Sequence, residues 1–262
     1  MPLTPEARSL AVFCDFENVA LGVREAKYAQ FDMQKVLERL LAKGSIVVKK
    51  AYCDWDRYKE FKAAMHGASF ELIEIPHVRQ SGKNSADIRM VVDALDLCYT
   101  KGHVDTFVII SGDSDFSPLV SKLRENAKTV IGVGVKNSSS DLLIANCDEF
   151  IYYDDLVRQD EQKRRATKKR REAAPADAGG DKKQEGLDLM LGTLEALVAE
   201  RGAEEKIWGS MVKQALKRRN PGFNESYYGF RAFSDLLEEA EKKGLIKLEP
   251  DEKSGGYVIR PA

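Results

Sequence analysis

Four aspartates carry the first chemistry this chain suggests. Asp15 follows the apolar run at residues 10–14, Asp54 follows the run at 46–53, Asp113 comes just after the run at 106–111, and Asp87 opens a helical pattern behind a polar loop. In a sheet of parallel strands, three of them would stand at strand C-terminal ends and the fourth at a neighbouring helix start, all facing one crevice. Carboxylates gathered this way repel one another unless something positive sits among them. Mg²⁺ or Mn²⁺ suits such oxygen donors, and a hard cation can lower the pKa of a bound water and neutralise a phosphate under attack. Phosphodiester hydrolysis of that kind needs no nucleophilic side chain, and the sequence offers neither a Ser-His nor a Cys-His candidate.

The residues around these carboxylates have competing local roles. Asp115 is either a further metal or water ligand or the cap of the helix it begins. Asn18 either orients Asp15, touches substrate or closes an Asx turn. Ser111 and Ser114 flank the Gly112 turn as candidates for a substrate contact or a helix cap, and Lys83, in the loop before Asp87, is a candidate phosphate contact. Asp93 and Asp96 are expected to face solvent, and Asp141 to cap a short helix.

The elements that must position these groups follow from periodicity. Short apolar runs at 10–14, 46–53, 70–75, 106–111, 129–135 and 150–153 read as strands. Between them, helical spacing appears at 33–41, closed by Gly44 as a C-cap, and at 57–66, 86–99 and 116–126, with a short helix after Ser138. Asp15-Phe16-Glu17-Asn18 reads as an acidic loop. Strands alternating with helices indicate an α/β fold, a mostly parallel sheet covered by helices.

At 262 residues with 43% hydrophobic content the chain has material for two domains, and a net charge of −1 excludes a uniformly basic nucleic-acid binder. Cys14, Cys53, Cys98 and Cys147 are far apart and form no CxxC pair, so zinc is not expected and reduced thiols in a cytoplasm are. No apolar run approaches a membrane span. Residues 158–186 are nearly free of apolar side chains and read as a charged flexible linker, its first half either unstructured or a helical extension of the domain, between a domain at 1–157 and a second at 187–262. The second domain shows three helices and a terminal hairpin, a small winged-helix (α+β) arrangement. Lys213, Lys217, Arg218 and Arg219 on its second helix could grip phosphate, and Tyr228 could stack on an unpaired base.

Three motifs carry a family resemblance. Asp15-Phe16-Glu17-Asn18, Lys83 with Ala86-Asp87-Ile88 and Asp93-Ala94-Leu95, and Ser111-Gly112-Asp113-Ser114-Asp115-Phe116 together resemble the NYN domain, of the LabA-like branch of the PIN-like nuclease superfamily, over roughly residues 8–155. Asn220-Pro221-Gly222-Phe223, Tyr228-Gly229-Phe230 with Phe233, and Gly244-Leu245-Ile246 make the second domain similar to the OST-HTH or LOTUS winged helix. The resemblance implies a Mg²⁺- or Mn²⁺-dependent endoribonuclease acting on single-stranded or structured RNA, with the appended domain binding RNA or a protein partner. It places Asp15, Asp87 and Asp113 on the family's acidic metal ligands and Asp54 on a less regular acidic position. The alternative is a non-catalytic RNA-binding adaptor of the same fold. A haloacid-dehalogenase phosphatase would need an aspartate where Glu17 stands.

Overall fold

A computed structural model describes residues 8–28, 30–75, 85–161, 180–202, 205–251 and 256–261. The chain separates into two compact units, one from residues 1–37 and 45–164 and the other from residues 38–44 and 165–262.

The first unit is a six-stranded sheet flanked by helices. Its strands are β1 (Arg8–Asp15), β2 (Gly44–Cys53), β3 (Glu71–Glu74), β4 (Thr106–Ile110), β5 (Thr129–Gly134) and β6 (Glu149–Tyr152), in the order β3-β2-β1-β4-β5-β6. β2 with β3, β1 with β4, β4 with β5 and β5 with β6 all pair parallel, and Cys14 lies opposite Ile110. β4 is buried along its whole length. That accounts for its unbroken Phe107-Val108-Ile109-Ile110 run, since a parallel strand covered on both faces has no polar side to present.

The helices are α1 (Phe16–Glu25), α2 (Met33–Lys43), α3 (Lys59–Gly67), α4 (Ser85–Thr100), α5 (Ser117–Glu125), α6 (Asp141–Asn146) and α7 (153–161). α4 turns Met90, Ala94 and Cys98, and α5 turns Leu119, Val120 and Leu123, into one core with Phe13, Phe107 and Ile109. The rings of Phe13 and Phe107 stack with centroids 6.1 Å apart.

Three expectations need correction here. Asp15-Phe16-Glu17-Asn18 is no loop: Asp15 is the N-cap of α1, and its side chain accepts the Asn18 N–H. Acidic and amide residues at a helix start satisfy otherwise unpaired N–H groups, so the polarity that suggested a loop was a cap and a first turn. Gly44 opens β2 rather than closing α2. Ser140, not Asp141, caps α6, accepting the Leu142 N–H.

The second unit contains α8 (Gly180–Arg201), β7 (Ile207–Trp208), α9 (Gly209–Arg219), α10 (Phe233–Lys242), β8 (Ile246–Asp251) and β9 (Gly256–Pro261). The strands form an antiparallel sheet in the order β7-β9-β8. Leu187, Leu194, Val212, Leu216, Leu236 and Ile259 are among the side chains of its core. After α10 the backbone reverses at Gly244 with φ +67°, a conformation that costs glycine little. Residues 158–161 and 180–186, expected within the flexible linker, are helical, and 162–179 lie outside the described residues.

Candidate active site

The strand order decides where a site can form. Numbering runs outward from β1 on one side and from β4 on the other, so the connections leaving these adjacent strands diverge and open a crevice at their C-terminal ends. Asp15 is the last residue of β1, and Ser111-Gly112-Asp113 follows β4 directly. Phe16 anchors the chain beyond Asp15, its ring lying 5.0 Å from Trp55 and 5.1 Å from Phe61 between centroids.

Hydrogen bonds tie the two strand ends together. The fully buried Ser111 donates its hydroxyl to Asp15 Oδ2 at 3.0 Å and accepts the Asp113 N–H at 3.1 Å. The Asn18 N–H donates to Asp15 Oδ1 at 3.3 Å, while Asn18 Oδ1 accepts the Gly112 N–H at 2.8 Å. Gly112 is required by close approach, since a Cβ there would lie 2.3 Å from the Ser138 carbonyl oxygen. Asp113 caps a single 3₁₀ turn (Ser114–Phe116), its Oδ1 accepting the Asp115 N–H at 2.9 Å. Asp87 reaches the same neighbourhood from the first turn of α4.

The electrostatics show which carboxylates share a field. Asp15, only 8% exposed, is pushed up to about 7 by burial first, then by the charges of Asp87 and Asp113, against the opposing bonds from Ser111 and Asn18. Asp87 is raised to about 6, again by burial first, then by Asp113, Asp115 and Glu17. Among the described residues, the charges that act on these two are those of other carboxylates, the condition in which an added cation gains most.

Sequence reasoning and structure part company at several positions. Asp15 feels the charges of Asp87 and Asp113, and Asp87 feels that of Asp113. Asp54 opens the turn before α3, where its side chain accepts the Asp56 N–H at 3.1 Å. Asp115 is exposed at the rim and Ser114 begins the 3₁₀ turn. Ser111 is fully buried and holds the two strand ends, and the half-buried Asn18 joins them through its N–H and Oδ1. Glu17, which the sequence analysis did not select, acts on Asp87 and pairs with Arg57 at 3.2 Å. The signal was available, because Glu17 sits in the first turn of the helix that Asp15 caps. Asp93 does not face solvent: it accepts the Tyr52 hydroxyl at 2.9 Å and pairs with Arg89 and Lys50. Lys83 lies outside the described residues.

In the second unit most of the expected RNA contacts are already engaged. Lys213 pairs with Glu225 at 2.8 Å, Arg219 donates to the Gly192 carbonyl at 2.9 Å, and Arg218 is half-buried. Tyr228 stacks on Phe223 with centroids 5.1 Å apart, whereas Lys217 is exposed.

The model of the NYN domain matches residues 9–154, more than half of the chain. The chain belongs to the NYN family. NYN and PIN-like proteins generally hydrolyse nucleic acids and are typically dependent on divalent metal. The chain is similar to a crystal structure of a protein of unknown function from Vibrio parahaemolyticus, with 28% identity and a TM-score of 0.52 over 58% of this chain and 97% of that one. An uncharacterized protein of Methanocaldococcus jannaschii is 28% identical over 117 residues, 45% of each chain. The chain thus spans less than half the length of that relative.

Among the described residues no three His, Cys, Asp or Glu side chains are gathered closely enough to ligate one ion. The donor set nevertheless fits a hard divalent cation chemically. Every donor is an oxygen, burial and like charge have raised two of them, and Mg²⁺ commonly takes only one or two carboxylates while keeping several waters. No helix among the described residues is long and apolar enough to cross a membrane.

Proposed function

We propose that the NYN unit is a Mg²⁺- or Mn²⁺-dependent endoribonuclease of the LabA-like type. The second unit, from about residue 187, is read as a winged helix of the OST-HTH or LOTUS kind that binds RNA or a protein partner. The observation that supports this reading best is that Asp15, Asp87 and Asp113, from three separate elements, lie within reach of one another's charge, with Asp15 and Asp87 driven up by burial and by these neighbours. A structural role would not require mutually repelling groups to converge.

Asp15, Asp87 and Asp113 would hold the cation, with Asp115 at the rim. When bound, the ion would supply an activated water and neutralise charge on the phosphate. The chain's own contribution is positioning. Ser111 fixes the Asp15 carboxylate, Asn18 fixes the Gly112 turn, and Asp113 is locked by capping, so little reorganisation remains when substrate arrives. Burial of Asp15 keeps its oxygens from ordinary solvation and makes a proton or a cation the natural partner.

The test uses the purified full chain with labelled single-stranded RNA and DNA, in Mg²⁺, Mn²⁺ or chelator, beside Asp113→Asn. Chelator-sensitive RNA cleavage, abolished in Asp113→Asn with the fold intact, is the expected result. Undiminished cleavage by Asp113→Asn would overturn the reading. RNA binding with no cleavage in either metal would make the protein an adaptor.

A further inference from the structure

We propose that Arg57, in the turn between β2 and α3, binds a phosphate of the RNA strand entering the carboxylate crevice, and that Glu17 holds its guanidinium until the strand arrives. The inference rests on the ribonuclease reading and adds a substrate-binding residue to it.

Packing places this turn beside the site. β2 neighbours β1 in the sheet, and Trp55, just past β2, lies 5.0 Å between ring centroids from Phe16, just past Asp15. Trp55 is buried, and its N–H donates to Glu74 Oε1 at 2.9 Å. The Arg57 N–H donates to the Asp54 carbonyl at 3.0 Å, so the backbone of the turn is fixed on both sides of residue 56. From that backbone Arg57 reaches Glu17 in the first turn of α1, Nη1 to Oε1 at 3.2 Å. The charge of Glu17 acts in turn on Asp87. One carboxylate thus links the arginine to the cluster at which hydrolysis is proposed.

Two features set Arg57 apart from an arginine that serves the fold alone. The turn is held by the buried Trp55 and by backbone N–H bonds, none of which involves the guanidinium. The pair itself is open to solvent, with the Arg57 side chain half-exposed, and exposed pairs add little to stability. The second feature is charge. Asp113, Asp115 and Glu17 all act on Asp87, so a phosphodiester approaching this cluster meets repulsion. A bound cation offsets part of it, and a guanidinium at the rim offsets more. Arginine suits that task because its planar fork presents N–H donors in the geometry of two phosphate oxygens. Carboxylate and phosphodiester each carry one negative charge, so Arg57 keeps a matched partner when it passes from Glu17 to the RNA.

The test measures affinity for a labelled single-stranded RNA by fluorescence anisotropy, on the full chain carrying Asp113→Asn, with Mg²⁺ and a series of KCl concentrations. Adding Arg57→Ala should weaken binding about tenfold. It should also reduce the slope of log affinity against log salt by about 0.7, the share of one phosphate contact on a single strand. Arg57→Lys should keep the slope and lose part of the affinity, because the charge stays and the fork goes. Glu17→Gln should tighten binding by about threefold, since it frees the guanidinium, and the gain should vanish when Arg57→Ala is also present. An ion pair that serves only the fold is broken alike by either substitution. Weaker binding in both Arg57→Ala and Glu17→Gln, or an unchanged salt slope in Arg57→Ala, would therefore overturn the assignment. If the protein without Asp113→Asn cleaves no RNA in either metal while Arg57→Ala and Glu17→Gln still move affinity in opposite directions, the ribonuclease reading fails and the phosphate contact stands.

Discussion

Asp87 and Asp93 lie on the same helix, α4, and face opposite electrostatic situations. Asp93 is surrounded by partners, the Tyr52 hydroxyl at 2.9 Å, Arg89 at 3.1 Å and Lys50 at 3.4 Å. Its charge is matched from within the fold, and one consequence is that the Tyr52 phenol is pushed up, by burial first and then by its bond to Asp93. Among the described residues the charges acting on Asp87 are those of other carboxylates, and it is raised to about 6, by burial first. The difference separates two uses of one residue type. A carboxylate supplied with cations is structural, and one left among like charges is completed only by something arriving from outside.

The comparison breaks most visibly at Asp113. Asp113→Asn should lower RNA cleavage on the order of 100-fold or more, since loss of a ligand exceeds the loss of roughly 10–100-fold known for groups that only support ligands. Thermal stability should hold or rise, because one repelling charge has gone. Asp93→Ala should do the reverse, costing about 1–3 kcal/mol in urea unfolding by leaving the Tyr52 hydroxyl and two cations without their shared acceptor, with kcat little changed. If Asp93→Ala abolishes cleavage while stability is unaffected, the division along α4 is wrong.

Ser111→Ala sharpens the same contrast. Its hydroxyl pulls the Asp15 carboxyl down, so its loss should raise that group further and weaken Mg²⁺ affinity about tenfold at neutral pH. Calorimetric titration of the metal, without RNA, reads this directly.

A smaller effect is expected in the pH dependence of stability in chelator. Asp15 at about 7 and Asp87 at about 6 both stand above the ordinary 3.8, so the native state holds protons that the unfolded chain has released. Their contribution therefore removes stability as pH rises from about 4 through about 7, and Asp113→Asn should flatten the fall. Added Mg²⁺ should also flatten it, because a cation that binds only the native state stabilises it most where the carboxylates are ionised. Melting curves across this window, with and without metal, test the sign. The smallest change should come from Asp54→Asn, less than about threefold in cleavage, an effect within the range of an ordinary surface substitution.

Much of this was legible along the chain because it depends on short-range pattern. The β4 run of apolar residues could only be a strand covered on both faces, and the stop at Gly112 announced the turn that carries Asp113. Periodic apolar positions announced α4, α5, α9 and α10. The start of α1 was misread for a physical reason: an N-cap and an acidic first turn have the composition of a loop, and the apolar face that distinguishes them comes only later, at Val19 and Val23.

Sequence alone settled the alternation of strands and helices and the placing of aspartates at strand ends, since both follow from local periodicity and turn chemistry. Which aspartates act on one another was decided by strand order. With β1 beside β4, the ends of the strands that lead to Asp15 and Asp113 are neighbours and Ser111 can bridge them, while Asp54, just after β2, enters the turn before α3. Strand order is a long-range outcome of packing helices on both faces of a sheet, and no neighbouring residues encode it. The fates of Asp87 and Asp93 were settled the same way, because whether a carboxylate finds a cation depends on which strands and helices pack against it.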